Sequence, residues 1–504
     1  MSQPYYLSTA ISYPNGAPHI GHAYEAIAAD VMARFRRSQG RDVFFLTGTD
    51  EHGLKMAQAA REKGIEPAEL AHEMSQMFKD MCDNLDITYD RFIRTTDPDH
   101  VKAAQTIWKK MEDKGDLYLG RYEGWYSVRD EAFYDESELT EGEGGAKLSP
   151  QGTPVEWTVE ESWFFRLSNY GEKLLDHIAA NPAFIQPDSR RNEVVRFIEG
   201  GLKDLSVSRT SFDWGVPVPG SPDHVMYVWL DALTNYITGV GYPEGGDKWE
   251  RYWPADAHLV GKDIVRFHAV YWPAFLMSAD VELPKQVYGH GHLLGEGGIK
   301  MSKSLGNVVD PREMLGRYGV DALRYFLMRE VPFGQDGSVS EEALVTRVNA
   351  ELANSFGNLA QRTLSMIHKN CDAIIPEAGK ASEDRKLLDD VMAACDEKLP
   401  AAFDRWAFST GIEAWLSAVH ACNAYVDAMA PWGLKKTDPA RMAEVLGTLA
   451  AAIAPLARAI APVSPHGSAA ILDQLAKGEE GNPIEKPTPA FPRLELPAKE
   501  EKCA

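Results

Sequence analysis

Residues 5–12 form an apolar, aromatic and β-branched run, Tyr-Tyr-Leu-Ser-Thr-Ala-Ile-Ser, which predicts a short buried strand. The next six, Tyr13-Pro-Asn-Gly-Ala-Pro18, are mostly turn formers and predict a loop. Over 21–38, Tyr24, Ile27, Ala28, Val31 and Phe35 recur at three-to-four spacing, which predicts a helix with one buried face. Arg34, Arg36 and Arg37 fall in its last turns, where the helix dipole favours cations, and Gly40 ends it. Residues 43–47, Val-Phe-Phe-Leu-Thr, read as a second buried strand. Strand, loop, helix, strand is a βαβ unit and predicts a parallel sheet.

The pattern changes over 117–222. Aromatic and acidic residues mix with a Gly-rich stretch at 141–152, which reads as an inserted, mostly β domain with a helical part. A βα pattern then resumes, with a short strand at 258–260, a helix over 263–278 and a strand over 286–294. The parallel sheet is therefore expected to be split by the insertion. From about residue 342 to 473 the text is helical, with Ala-rich amphipathic stretches and loops at 376–379 and 431–439. The tail, 477–504, is rich in Pro, Glu and Lys and reads as an extended strap.

The length, 504 residues, predicts several domains. The hydrophobic fraction of 44% excludes a disordered or collagen-like chain. No run of apolar residues is long enough to predict a membrane span; the stretch around 449–463 is interrupted by Pro455, Arg458 and Pro462. The first residues lack the basic-then-apolar pattern of a secretory signal. Cys82, Cys371, Cys395, Cys422 and Cys503 form no CxxC pair, so free thiols and a cytoplasmic location are expected. A net charge of −22 argues against a general nucleic-acid coat but leaves room for a local basic face.

Two short segments carry candidate chemistry. Pro18-His19-Ile20-Gly21-His22 falls at the junction of the first strand and first helix. Free amides at a helix N-terminus attract phosphate, Gly21 allows close approach, and two histidines a turn apart can donate to phosphoryl oxygens. Such a pair could equally bind a metal or be two surface histidines. Gly298-Ile-Lys-Met-Ser-Lys-Ser-Leu-Gly-Asn307 is a basic loop between glycines, in which Lys300, Ser302 and Lys303 can close over a triphosphate. By itself it would read as an ordinary solvated loop.

Together and in this order, His19-Ile20-Gly21-His22 and Lys300-Met301-Ser302-Lys303-Ser304 resemble, letter for letter, the HIGH and KMSKS signatures of class I aminoacyl-tRNA synthetases. The rest of the chain resembles the methionyl-tRNA synthetase family along essentially its whole length. The matching segments are Ala10-Ile11-Ser12-Tyr13, Thr47-Gly-Thr-Asp50-Glu-His52-Gly53, Val228-Trp229-Leu230-Asp231-Ala232 and Gly261-Lys-Asp263-Ile264-Val-Arg-Phe-His268. In that family these segments line the methionine pocket or lie beside it. Methionine needs an apolar slot, a carboxylate for its ammonium and weak donors near sulfur. Asp50, just past a strand end, can take the ammonium. Ala10 and Ile11 belong to the pocket by the same resemblance. Trp229, Ala232, Leu233, Tyr236 and Ile264 can form the slot, and Tyr13 and His268 can supply the polar touch. Leu233 stands where some relatives carry proline.

The resemblance also implies an anticodon reader, with Trp432 stacking on a base and Asn358 and Arg362 contacting base edges or phosphates. Without it, Trp432 would read as a helix-end core residue. Many relatives bind zinc through Cys clusters in the insertion; here Trp125-Tyr-Ser-Val-Arg-Asp-Glu-Ala-Phe-Tyr134 has none, so no zinc is expected. Ser127, Arg129, Asp130 and Glu131 can replace the metal with a polar network.

The expected architecture is α/β. A Rossmann-like catalytic domain (1–116 and 223–294) is split by a connective-peptide insertion (117–222). A KMSKS loop and stem-contact region (295–345), a helical anticodon-binding bundle (346–476) and the tail (477–504) follow. The implied activity is ATP-dependent activation of L-methionine, with Mg2+ accompanying ATP, then transfer to the 3′ end of tRNA(Met). His19, His22, Lys300 and Lys303 are the implied catalytic residues; Gly21, Asp263 and Ser302 join them in holding ATP. A monomer without membrane attachment is expected, because no appended dimerisation module follows the helical part. Two alternatives stand beside this reading: another class I synthetase or adenylyl-transferring relative, and an inactive tRNA-binding paralogue.

Overall fold

The computed structural model describes residues 2–130, 132–299, 301, 309–479 and 482–497. Glu131, Lys300, Ser302 and Lys303 lie outside the described residues. The chain divides into two compact units, Met1–His290 and Gly291–Ala504.

The elements of the first unit that place the site are β1 (Pro4–Thr9), α1 (Ile20–Ser38), β2 (Asp42–Thr49), β3 (Arg91–Arg94), α2 (Pro98–Asp113), β4 (Ile185–Gln186), α3 (Val228–Thr238), β5 (Ala257–Gly261) and β6 (Val287–His290). The strands form one parallel sheet in the order β3-β2-β1-β5-β6-β4. β1 is central: Leu7 pairs with Phe45 of β2 on one side and Ala257 of β5 on the other. A strand covered on both faces carries a continuous apolar run, and Tyr5, Tyr6 and Leu7 are all buried. At Gly48, a Cβ would sit 1.9 Å from the carbonyl oxygen of Ile93, so β2 approaches β3 this closely only with glycine there. The strand order runs outward in opposite directions from β1 and β5. In such sheets a crevice opens at the carboxyl ends of these strands.

Between β3 and β5 the chain builds a separate antiparallel sheet, in which Leu117–Ser127 pairs with Glu156–Phe165 from Leu117↔Phe165 to Tyr126↔Glu156. Ala132–Tyr134 and Leu205–Ser206 flank that pair. The stretch is not wholly apart from the parallel sheet. β4 lies within 117–222 yet joins the edge beside β6, with Ile185 opposite Val287.

The helix expected over 263–278 is three pieces: a 3-10 turn at Lys262–Ile264, a widened π-type turn at Phe267–Tyr271 and an α-helix at Trp272–Ser278. Pro273 lacks an amide hydrogen and crowds the preceding turn. The chain widens ahead of it, and Trp272 N bonds back to the Phe267 carbonyl. The strand expected over 286–294 is two. β6 ends at His290, and Leu293–Leu294 pairs in parallel with Gly337–Ser338 in the second unit.

Most of the other described residues of the second unit are helical. One of its helices, Pro439–Ile460, is long and apolar enough to cross a membrane by length and composition, but most of it is buried within the fold. Arg324, on Val320–Glu330, is fully buried beyond its end and donates to the Val463 carbonyl at 3.1 Å and the Pro462 carbonyl at 2.9 Å. One turn earlier, Asp321 accepts from the Gly467 amide at 2.6 Å. Arg324→Leu leaves two buried carbonyls without this partner. It is expected to lower stability by about 3 kcal/mol in urea unfolding, with Arg324→Lys intermediate. The described part of the tail is an extended strap: Leu494 N and O bond the side chain of Asn349 at 2.8 and 2.9 Å, and Ile484 N bonds the Ala373 carbonyl at 2.7 Å.

Candidate active site

His19 is the N-cap of α1, with extended backbone at φ −123°, ψ 173°. Its Nδ1 accepts from the Gly21 amide at 3.1 Å, and His22 Nδ1 accepts from the His19 amide at 3.1 Å. The two rings stack with centroids 3.8 Å apart, and Phe78 packs edge-on to His22 at 5.0 Å. Because both Nδ1 atoms accept, each neutral ring carries its hydrogen on Nε2. Two Nε2–H donors therefore stand at the positive end of a helix, an arrangement suited to phosphoryl oxygens. The mutual cap makes His19 and His22 a paired unit.

A cavity of about 390 Å³ opens at the carboxyl ends of β1, β2 and β5. Every residue expected at the methionine site lines it: Ala10, Ile11, Tyr13, Asp50, Trp229, Ala232, Leu233, Tyr236, Ile264 and His268. His22 and Asp263 line it too, so the residues expected at the nucleotide and those expected at methionine meet in one crevice. Trp229 is braced by Phe267, its ring stacked at 3.9 Å and 4°.

The polar contacts revise one expectation. His268 Nδ1 donates to the Ile264 carbonyl at 2.8 Å, so Nε2 is the acceptor for the Tyr236 hydroxyl at 2.6 Å. Burial pushes the imidazole down to about 4, so it is neutral at physiological pH. With its one hydrogen committed, His268 has none for a thioether sulfur; it orients Tyr236 instead. The Tyr13 hydroxyl accepts from the Met56 amide at 3.2 Å, which fixes its ring at the cavity wall.

Asp50 sits one residue past β2, its amide bonded to the Ser12 carbonyl at 2.9 Å. The residues behind it are heavily pinned. Glu51 is fully buried and accepts from Arg94 Nε at 2.6 Å and Nη2 at 2.9 Å, from Thr96 at 2.7 Å and from Thr49 at 2.9 Å. Its amide donates to Thr95 at 2.9 Å, and its carbonyl accepts from Trp214 Nε1 at 2.7 Å. Such a set holds a loop rigidly.

The cavity also takes in Asn15, Glu25 and Lys55, which the sequence did not single out, together with Ser12, Val228 and Gly261 from the matched segments and Asp130, expected only in the polar network of the insertion. Glu25 lies three residues beyond His22 on the same helix face and is bonded to His290 Nε2 at 2.8 Å. That spacing was a readable signal. Asp130 comes from the insertion. It gathers Ser149, Thr153 and Tyr134 at 2.6, 2.5 and 3.1 Å, and its amide bonds Ser127 at 3.2 Å. Burial opposes ionisation there, but these hydroxyls outweigh it and hold the carboxyl below its ordinary value. Ser127 and Asp130 thus join a hydroxyl network; Arg129 makes no bond within it. Among the described residues, no cluster of three His, Cys, Asp or Glu could hold a metal.

In the second unit, Asn358, Arg362 and Trp432 are exposed, Trp432 by 50%. The Arg362 guanidinium lies 5.9 Å from the Trp432 ring centre, a surface pairing and not a core contact.

A parallel sheet with its crevice at a strand-order reversal, entered by a histidine-capped helix, is a nucleotide-binding α/β arrangement, and the family model that matches the chain makes it that of a class I aminoacyl-tRNA synthetase. The family model described as tRNA synthetases class I (M) matches residues 5–364. A methionine–tRNA ligase of Brucella melitensis biotype 1 is 54% identical over 97% of this chain and 98% of its own length. The structure of a Mycobacterium tuberculosis methionyl-tRNA synthetase in complex with methionyl-adenylate superposes with a TM-score of 0.94 at 51% identity, covering 97% of this chain and all of that one (100%). The apo form of the Mycobacterium tuberculosis enzyme gives 0.88 at 48% identity, covering 99% of both chains. The chain belongs to the methionyl-tRNA synthetase family.

Proposed function

We propose that the protein joins L-methionine to tRNA(Met) in two steps at the crevice of the first unit. A methionine carboxylate oxygen attacks the α-phosphorus of ATP, the bond to the bridging oxygen breaks, and pyrophosphate leaves. The 2′-hydroxyl of the terminal tRNA adenosine then attacks the adenylate carbonyl, and AMP departs. The observation that supports this best is the single cavity in which Asp50, the Trp229–Tyr236 slot and His22 meet. Asp50 pairs with the ammonium. The slot takes the thioether. His19 and His22 donate to phosphates, and Gly21 leaves room for them. Asp263 borders the nucleotide side. ATP enters as its Mg2+ complex. Lys300, Ser302 and Lys303, outside the described residues, are assigned to the leaving pyrophosphate. Catalysis of this kind rests on positioning and charge neutralisation, so no strong side-chain base is required.

The same reading assigns no zinc to the insertion, where the hydroxyl network around Asp130 supplies the cross-links. The same reading takes the protein to be a monomer, and the buried free thiols of Cys82, Cys395 and Cys422 fit the cytoplasm. The Rossmann-like catalytic domain then comprises 1–116 and 223–294, the insertion 117–222, the KMSKS and stem-contact region 295–345 and the anticodon bundle 346–476. Amino-acid-dependent exchange of labelled pyrophosphate into ATP, run with zinc chelated, tests the core of it. Exchange with methionine alone is expected; exchange with another amino acid, or none, would refute the pocket assignment or the activity.

Trp432→Ala removes the proposed stacking platform. Stacking contributes about 1–3 kcal/mol per base, so aminoacylation efficiency with tRNA(Met) is expected to fall roughly 10- to 100-fold. Methionine-dependent exchange is expected to stay at the parent level; a large fall there would make Trp432 a packing residue.

A further inference from the structure

Behind the methionine cavity lies a buried bridge that the chemistry above does not use. Asp231 is fully buried on α3, with Oδ2 2.6 Å from His52 Nδ1 and Oδ1 2.7 Å from His100 Nε2. Each carboxylate oxygen thus has one ring nitrogen as partner. His52 belongs to the loop after β2, His100 to α2, and Asp231 to the first turn of α3. Burial pushes the Asp231 carboxyl up, but the two facing histidines overcome it and hold it at about 2. None of the three lines the cavity, yet their neighbours in sequence do: Asp50 precedes His52 by two residues, and Trp229, Ala232 and Leu233 flank Asp231. The far side of the bridge is anchored as well. His100 Nδ1 faces the Thr238 hydroxyl at 3.3 Å, one helix length from Trp229.

We infer that the His52–Asp231–His100 bridge sets the spacing between Asp50 and the Trp229–Leu233 wall, and so makes the site select methionine by length. This inference rests on the methionine-activating reading. A fully buried carboxylate with both oxygens engaged is stiff, because sliding either segment breaks a charge-assisted bond. The ammonium and the thioether of one amino acid span the two segments so joined. His52 and Asp231 are positioning residues: they act through Asp50 and Trp229 and touch no substrate.

The test measures pyrophosphate exchange in full-length H52A and H52N. His52→Ala is expected to raise KM for methionine roughly 10- to 100-fold while KM for ATP moves by no more than about twofold. Preference for methionine over ethionine, one methylene longer, is expected to fall by about fivefold or more. His52→Asn returns a donor near the position of Nδ1 and is expected to recover most of both. A variant that loses only active-site titre or melting temperature, with KM for methionine unchanged, overturns the inference; so does a parallel rise in both KM values. If H52A does not fold, His52→Gln, which keeps a donor one bond further out, is read by the same two ratios. A parent enzyme that fails to exchange with methionine refutes the functional reading itself, a result separate from either of these.

Discussion

Asp50→Asn is expected to raise KM for methionine by two to three orders of magnitude while leaving KM for ATP within a few-fold of the parent. The substitution is isosteric and removes only charge. Asp50 is 8% exposed, so a bound ammonium there has little water to fall back on. Breaking a buried pair by removing one partner costs about 3–5 kcal/mol, and the stated loss takes the lower part of that range, about 3–4 kcal/mol. The loop itself should persist, because its rigidity comes from Glu51, with partners in Arg94, Thr95, Thr96 and Trp214. A desamino analogue of methionine gives the internal control: the parent should discriminate strongly against it, and D50N should discriminate little. Equal loss for methionine and the analogue would place the Asp50 charge elsewhere in the mechanism.

His22→Ala is expected to lower kcat for pyrophosphate exchange by about 10²–10³, the effect of removing one preorganised donor from a developing charge. KM for methionine should hardly move, since the amino-acid slot is built from other segments. The variant also removes the acceptor for the His19 amide, so a cap is lost together with the donor. His22→Asn separates the two effects. Its side-chain oxygen can accept from that amide, but it has no group at the place of Nε2–H. Equal losses of kcat in both variants, with the melting temperature of H22N near the parent's, would confirm the donor role; recovery of kcat in H22N would leave His22 as a cap alone.

Much of the central sheet was legible because β1, α1 and β2 obey simple rules: buried apolar runs and one amphipathic helix with cations at its end. The gathering of Asp50, Trp229 and His268 around one cavity was not legible from pattern, because these residues lie on segments far apart in sequence; only the family resemblance brought them together. β4 was invisible for another reason. Two residues, Ile185 and Gln186, carry no periodicity, and their pairing is set by the neighbouring strand. The widened turn before Pro273 is a local outcome of one missing donor, which apolar periodicity does not register. The His52–Asp231–His100 bridge joins positions 179 and 131 residues apart, and nothing local marks a histidine as half of a long-range pair. The proton direction at His268 was not legible, since it depends on the Ile264 carbonyl, a contact that the sequence does not display.

The central place of β1 has a consequence for how the chain is made. Ser8 bonds His258 across 250 residues of intervening chain, and the neighbour that completes β1 lies at the same distance. At roughly 5–20 residues per second, a ribosome needs about 12–50 s to deliver that neighbour. Through that interval the nascent β1–α1–β2–β3 segment presents an apolar strand with one edge open. Unpaired edges of this kind invite pairing with other chains. Slow elongation of the insertion therefore lengthens the time for which this edge stands open, and shortening the insertion in a redesigned chain would shorten that exposure.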